Sequence, residues 1–138
     1  MKDVIISIKG DLYLDENGSA DEFVTDGQYL CTGDKIVFNY FESQLTGMEG
    51  TVTTVEVGKG MASINRTGAV NMNMMFEEGK KHYFMYETQF GAMSMGLETN
   101  NIHSTLGEHG GDLEIHYVLN LENSQLSRNT FKINVKEA

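Results

Sequence analysis

The chain contains no proline, one cysteine, and only half as many basic residues as acidic ones, 10 against 20. Without proline, exposed strand edges have to be protected by closure, charge or bulges. With Cys31 alone no intrachain disulfide can form, which agrees with a reducing compartment. Long apolar runs are also missing. Near the N-terminus only Val4 to Ile8 is mostly apolar, broken by Ser7, too short for a signal-peptide core or a membrane span. A cytoplasmic location is the expectation for a bacterial source. The net charge is −10, and acid exceeds base in both halves, so phosphate backbones and anionic lipid are repelled. Nucleic acid and membrane surfaces are therefore not expected partners. Acidity alone does not argue for a cationic partner, because it is a common solubility device. No stretch carries a convincing helical period, and no phosphate-cradling glycine loop precedes a helix.

What is present is a period of two across 138 residues, enough for one domain spanning 1–138. Ile36, Phe38 and Tyr40 alternate with Val37, Asn39 and Phe41; Leu113, Ile115, Tyr117, Leu119 and Leu121 alternate with Glu114, His116, Val118 and Asn120. That is strand patterning with one buried face. Turn signals recur at Asn17-Gly18, Thr32-Gly33-Asp34, Gly58-Lys59-Gly60, Thr67-Gly68, Glu78-Gly79-Lys80, Gly110-Gly111 and Glu122-Asn123-Ser124. They predict strands near 3–15, 21–32, 35–43, 50–57, 61–66, 69–77, 81–89, 91–100, 112–121 and 125–136. Hairpins without crossover elements make an antiparallel up-and-down meander, and a meander this long removes its edges by closing into a barrel. A two-sheet sandwich is the rival architecture.

The turn after Arg66 carries more detail. A two-residue loop of Thr67 and Gly68 would set Ala62 and Ile64 opposite Asn71 and Asn73, wasting both faces. A three-residue loop, Arg66-Thr67-Gly68 with Gly68 left-handed, puts Ile64, Val70, Met72, Met74 and Phe76 on one face. Arg66 then sits at the rim of that face.

The stretch INRTGAVNMNMMFEEG (64–79), followed by YETQFG (86–91) and preceded by TDGQYL (25–30) and YFES (40–43), resembles the YwiB-like family. These are small bacterial β-barrel proteins, also called domain of unknown function 1934. The similarity runs over nearly the whole chain. Its most specific part is the arginine-x-glycine turn, a strand ending in Phe76, then Gly79, Tyr86 and the Phe90-Gly91 pair. The resemblance implies a lipocalin-like (calycin) barrel. It implies no catalytic residues, since the family has no established activity, and the methionine density here departs from its pattern.

Several groups carry candidate chemistry. Met72, Met74, Met93 and Met95 lie on inward-type positions, where methionine fills gaps or lines an adaptable pocket. Arg66, one of two arginines, could clamp a carboxylate beside Tyr86 or Tyr40. It could equally bond carbonyls at the bulge or pair with Glu42. If it clamps, Arg66→Met abolishes carboxylate-probe binding and leaves the fold intact. His103 faces His116 only if His109-Gly110 forms the turn; Gly110-Gly111 is the better turn and separates them, so solvated histidines are expected, not a metal site. Asp15, Asn17 and Ser19 loosely suggest a calcium loop, but the glycine is displaced, so an acidic hairpin tip explains them better. Cys31 reads as a packed thiol, and Ser104 beside His103 cannot form a triad within one strand.

These readings lead to a non-enzymatic barrel with no cofactor. It would bind a small, partly apolar or carboxylate ligand in or at its mouth, against Met72, Met74, Phe84, Met93 and Met95 and oriented by Arg66, Tyr86 and Tyr40. The alternative is a protein-interaction or assembly module with a solid interior, meeting a protein partner or a second copy.

Overall fold

A computed structural model describes residues 1–10, 22–42, 49–69, 71–88, 91–121 and 124–138. The alternating pattern becomes ten strands: β1 (Lys2–Gly10), β2 (Glu22–Thr32), β3 (Lys35–Phe41), β4 (Thr51–Gly58), β5 (Met61–Gly68), β6 (Met72–Glu77), β7 (Lys81–Thr88), β8 (Gly91–Ser104), β9 (Gly110–Leu121) and β10 (Ser124–Glu137). No helix occurs among the described residues. The acidic stretch with Asp15, Asn17 and Ser19, the Asn17-Gly18 turn, Val70, Phe90 and the Glu122-Asn123 pair lie outside them.

The strands form one antiparallel sheet in the order β6-β5-β4-β3-β2-β1-β10-β9-β8-β7. Each strand pairs with its sequence neighbour except at one seam, and β1 pairs with β10, with Ile6 opposite Val135 and Ile8 opposite Ile133. The result is a nearly closed barrel, not a sandwich. Among the described residues the free edges belong to β6 and β7, so closure through the terminal strands moves the gap in the ladder to mid-chain. At the proximal end, where β1 begins, the turn between β6 and β7 stitches this seam to β8. The Gly79 amide donates to the Thr99 carbonyl (2.9 Å), and the Thr99 amide donates to Lys80 (3.3 Å).

The β5–β6 hairpin departs from expectation in length and agrees in parity. Ile64 stands opposite Met74, Ala62 opposite Phe76 and Arg66 opposite Met72. Arg66 is therefore a strand residue on the inner face, and the loop is wider than three residues. Its shape depends on a distant segment, because the Ala69 amide donates to the Gly50 carbonyl (3.2 Å). Asn71 closes the loop by donating from Nδ2 to the Gly68 carbonyl (3.0 Å). Gly68 has φ +119°, and a Cβ there would lie 2.3 Å from the Gly50 oxygen. Gly68→Ala is expected to cost more than about 1 kcal/mol, read from urea unfolding midpoints. A change smaller than that would mean the loop adapts freely.

Candidate functional site

The distal end of the barrel, where β1 finishes, holds the residues singled out by the sequence. Alternation along β3, β4 and β5 sends Tyr40, Glu42, Thr51, Thr53 and Arg66 inward, and all five are buried. Arg66 Nε lies 3.7 Å from Glu42 Oε1, with side chains 3% and 0% exposed. Thr53 donates from Oγ1 to the same carboxylate oxygen at 2.6 Å. Arg66 is thus buried on the inner face at this end, and the pairing with Glu42 is the arrangement found. Sequence reading named Glu42 but missed Thr51 and Thr53. Their signal is present in TVTTVEV, where threonine replaces valine on the inner face.

The methionines divide. Met74, Met95 and Phe84 are core residues, while Met72 is part-buried and packs against that core. Met93 holds an inner register position yet is 42% exposed. The physical reason is strand length: β9 ends at Leu121, opposite Met95, so Met93 extends beyond its cover. Tyr86 occupies the position opposite Met93 on β7; its side chain is outside the described set.

Between the two ends the interior is occupied by rings. Phe76 on β6 meets Tyr117 on β9 edge-on at 5.2 Å and Phe131 on β10 at 5.6 Å, and those two meet at 5.9 Å. Strands far apart in the sheet order therefore touch through the barrel's middle. Tyr29 and Phe38 stack at 6.1 Å nearby in the order, and both are buried. Edge-to-face contacts of this kind add about 0.5–1.5 kcal/mol per pair beyond burial.

At the proximal end the β8–β9 turn is neither glycine alternative. Gly107 and Gly110 exchange amide–carbonyl bonds (2.9 and 3.3 Å), leaving Glu108 and His109 at the tip. His103 consequently faces Glu114, and a bulge brings Asn101 opposite His116. The glycines serve close approach: a Cβ on Gly110 would lie 2.2 Å from the Val135 oxygen, and one on Gly111 2.4 Å from the Thr105 oxygen. No cluster of three or more His, Cys, Asp or Glu side chains suited to a metal occurs among the described residues.

Two carboxylates at this end carry cationic partners. Glu137 accepts from His109 Nδ1 (2.8 Å) and Lys2 Nζ (3.0 Å), and these bonds hold its carboxyl below the usual range. Lys80 and His82 do the same for Glu77 beside the seam. Burial, with a smaller contribution from Cys31, pushes the Tyr29 phenol up to about 12. Its hydroxyl donates to the Gly107 carbonyl at 2.6 Å. Clefts of about 430 and 400 Å3 open here, the first lined by Tyr29, Leu30, Cys31 and His109, the second by Ile36, Val57 and Leu106 among others.

These features define a class: small, nearly closed, ten-stranded meander barrels with an aromatic-filled middle and a buried ion pair at one end. A family model described as a domain of unknown function (DUF1934) matches residues 6–133, and the chain belongs to that family. It is 30% identical over 122 residues to the uncharacterized beta-barrel protein YwiB of Bacillus subtilis (strain 168), covering 88% of this chain and 84% of that one. The crystal structure of the ywiB protein from Bacillus subtilis matches with a TM-score of 0.83 at 26% identity, over 99% of this chain and 92% of that one. No helix among the described residues is long and apolar enough to cross a membrane.

Proposed function

We propose that the protein is a non-enzymatic, cytoplasmic interaction module whose outer face beside the β6–β7 seam meets a protein partner. The observation that supports this reading is the aromatic contact of Phe76, Tyr117 and Phe131 through the barrel's middle, as a side-chain-filled interior would have. On the outside, Tyr83 and Met85 project from the edge strand β7 and are 68% and 52% exposed. Apolar side chains on an edge strand suit a docking surface, and one with an unpaired edge can also accept an added strand.

The test is native mass spectrometry of the protein purified from its source cells. A stoichiometric protein complex is expected, lost when Tyr83→Ser and Met85→Ser are combined. A retained small molecule, or a complex indifferent to both substitutions, would overturn the reading. One observation favours a second reading, a small apolar ligand at the distal mouth: Met93 holds an inner register position yet remains exposed, and Met72, on the inner face of β6, is only part-buried. In that case Met93→Ser removes the retained molecule.

A further inference from the structure

The tip of the β8–β9 hairpin does not project into solvent. Its contacts reach three other strands at the proximal end. Tyr29, buried on the inner face of β2, donates its hydroxyl to the Gly107 carbonyl at 2.6 Å. Lys2 at the start of β1 donates to the Glu108 carbonyl at 2.7 Å. His109 meets Glu137 at the end of β10 at 2.8 Å. Leu106 packs against the core and shares a cleft with Ile36 and Val57, which are buried inner residues of β3 and β4. A segment bonded to β1, β2 and β10, with an apolar residue over β3 and β4, lies across the barrel's end.

The ladder holds the two ends of this segment, Ser104 opposite Leu113 and Gly110 and Gly111 opposite Lys136 and Val135, but the footing of the tip between them is weak in energy. Lys2, His109 and Glu137 side chains are about half or more exposed, and ion pairs of that kind contribute little. Leu106 is the tip's one side chain packed against the core, and it is only part-buried. The Tyr29 hydroxyl is the one bond made by a buried side chain. Clefts flank the segment on both sides, one on the Tyr29 and Cys31 side and one on the Ile36 and Val57 side. Segments with few buried apolar contacts open locally at a fraction of the global stability.

We propose that residues 104–111 form a hinged cap over the proximal end of the barrel, latched by the Tyr29 hydroxyl. Opening uncovers Tyr29, Cys31, Ile36 and Val57, so the cap controls access to this largely apolar floor. It is independent of the seam surface proposed above, which lies on another part of the barrel wall.

Cys31, the only cysteine, provides the reporter. The experiment labels it with iodoacetamide and, separately, with a bulky dye maleimide, in the wild type, Tyr29→Phe and Leu106→Ala. Amide relaxation dispersion is recorded across residues 104–111 on the same proteins. The wild type is expected to show dispersion in the cap and to react slowly with the bulky reagent. Both variants are expected to raise the bulky-reagent rate about five-fold or more while the small-reagent rate changes less. Cap dispersion should grow in both, with β3 and β4 amides unaffected. Flat dispersion at 104–111, or bulky-reagent rates that follow only the global unfolding rate in all three proteins, would overturn the proposal. Should Leu106→Ala prove too unstable, Tyr29→Phe alone decides, since it removes one oxygen and no packing volume.

Discussion

Arg66→Met is expected to lower unfolding free energy by about 3–5 kcal/mol, because it leaves the Glu42 carboxylate buried without its counter-charge. On a chain of this size that is a fall in Tm on the order of 10 °C. Paired substitution of Arg66 and Glu42 by methionine is expected to recover most of the loss, since a buried ion pair replaced by apolar volume is often nearly neutral. Thr53 then loses the acceptor of its hydroxyl, so recovery falls short by about 1 kcal/mol. Urea denaturation of the two single variants and the double variant, read as a cycle, measures this. A single Arg66→Met variant within about 1 kcal/mol of wild type would place the pair among the dispensable ones. The outcome also separates two ideas of the arginine. A ligand clamp predicts lost binding on an intact fold; an internal counter-charge predicts lost stability.

Phe76→Ala is expected to cost about 3–5 kcal/mol, the range for deleting a fully buried ring. Phe76 is the ring that β6 contributes to the central trio, so its removal leaves Tyr117 and Phe131 facing a void. An apolar void of this kind stays dry and takes up benzene or xenon. The variant is therefore expected to gain thermal stability in benzene-saturated buffer, and the wild type to gain none. Equal stabilisation of both proteins would reveal space already present in the native interior, returning weight to an internal ligand. Collapse of the neighbours into the gap would appear as a cost near 2 kcal/mol and no benzene effect.

Much of the architecture was legible because a half-buried strand writes its two faces into alternate residues. Ile36-Phe38-Tyr40 and Leu113-Ile115-Tyr117 lie inward, and ten strands occur in the expected order, although β6 starts only at Met72, β8 runs on to Ser104, and residues 11–15 of the first expected span lie outside the described residues. Parity survived even where loop length did not. Ile64, Met72, Met74 and Phe76 share the inner face whether the β5–β6 loop holds three residues or more, since a shift of an even number preserves facing. The loop's true width was hidden because it is held by Gly50, far away in sequence. The β8–β9 turn was misplaced for a related reason. Gly110 and Gly111 looked like turn formers, but their missing Cβ atoms make room for the Val135 and Thr105 carbonyls. The location of the seam was invisible, because nothing local states that β1 and β10 pair.

The candidate site was legible only as a set of residue types. An arginine, a glutamate and several methionines could be assigned to inner faces, but burial depends on how far neighbouring strands extend. Met93 and Met95 are two residues apart on one face, and the end of β9 between them decides which is covered. Likewise, Arg66 looked like a turn residue until its strand proved longer.

The pairing of β1 with β10 has a consequence for how the chain is made. On the ribosome β1 waits with a bare flank until the last strand emerges, on the order of ten seconds later at ordinary synthesis rates. Its outer row already carries Ile5 with a solvent-facing Val24 on β2, so this waiting hairpin presents apolar side chains beside an unpaired edge. A circular permutant opened at the Glu78-Gly79-Lys80 turn would synthesise those strands side by side and shorten that exposure to a fraction of the time.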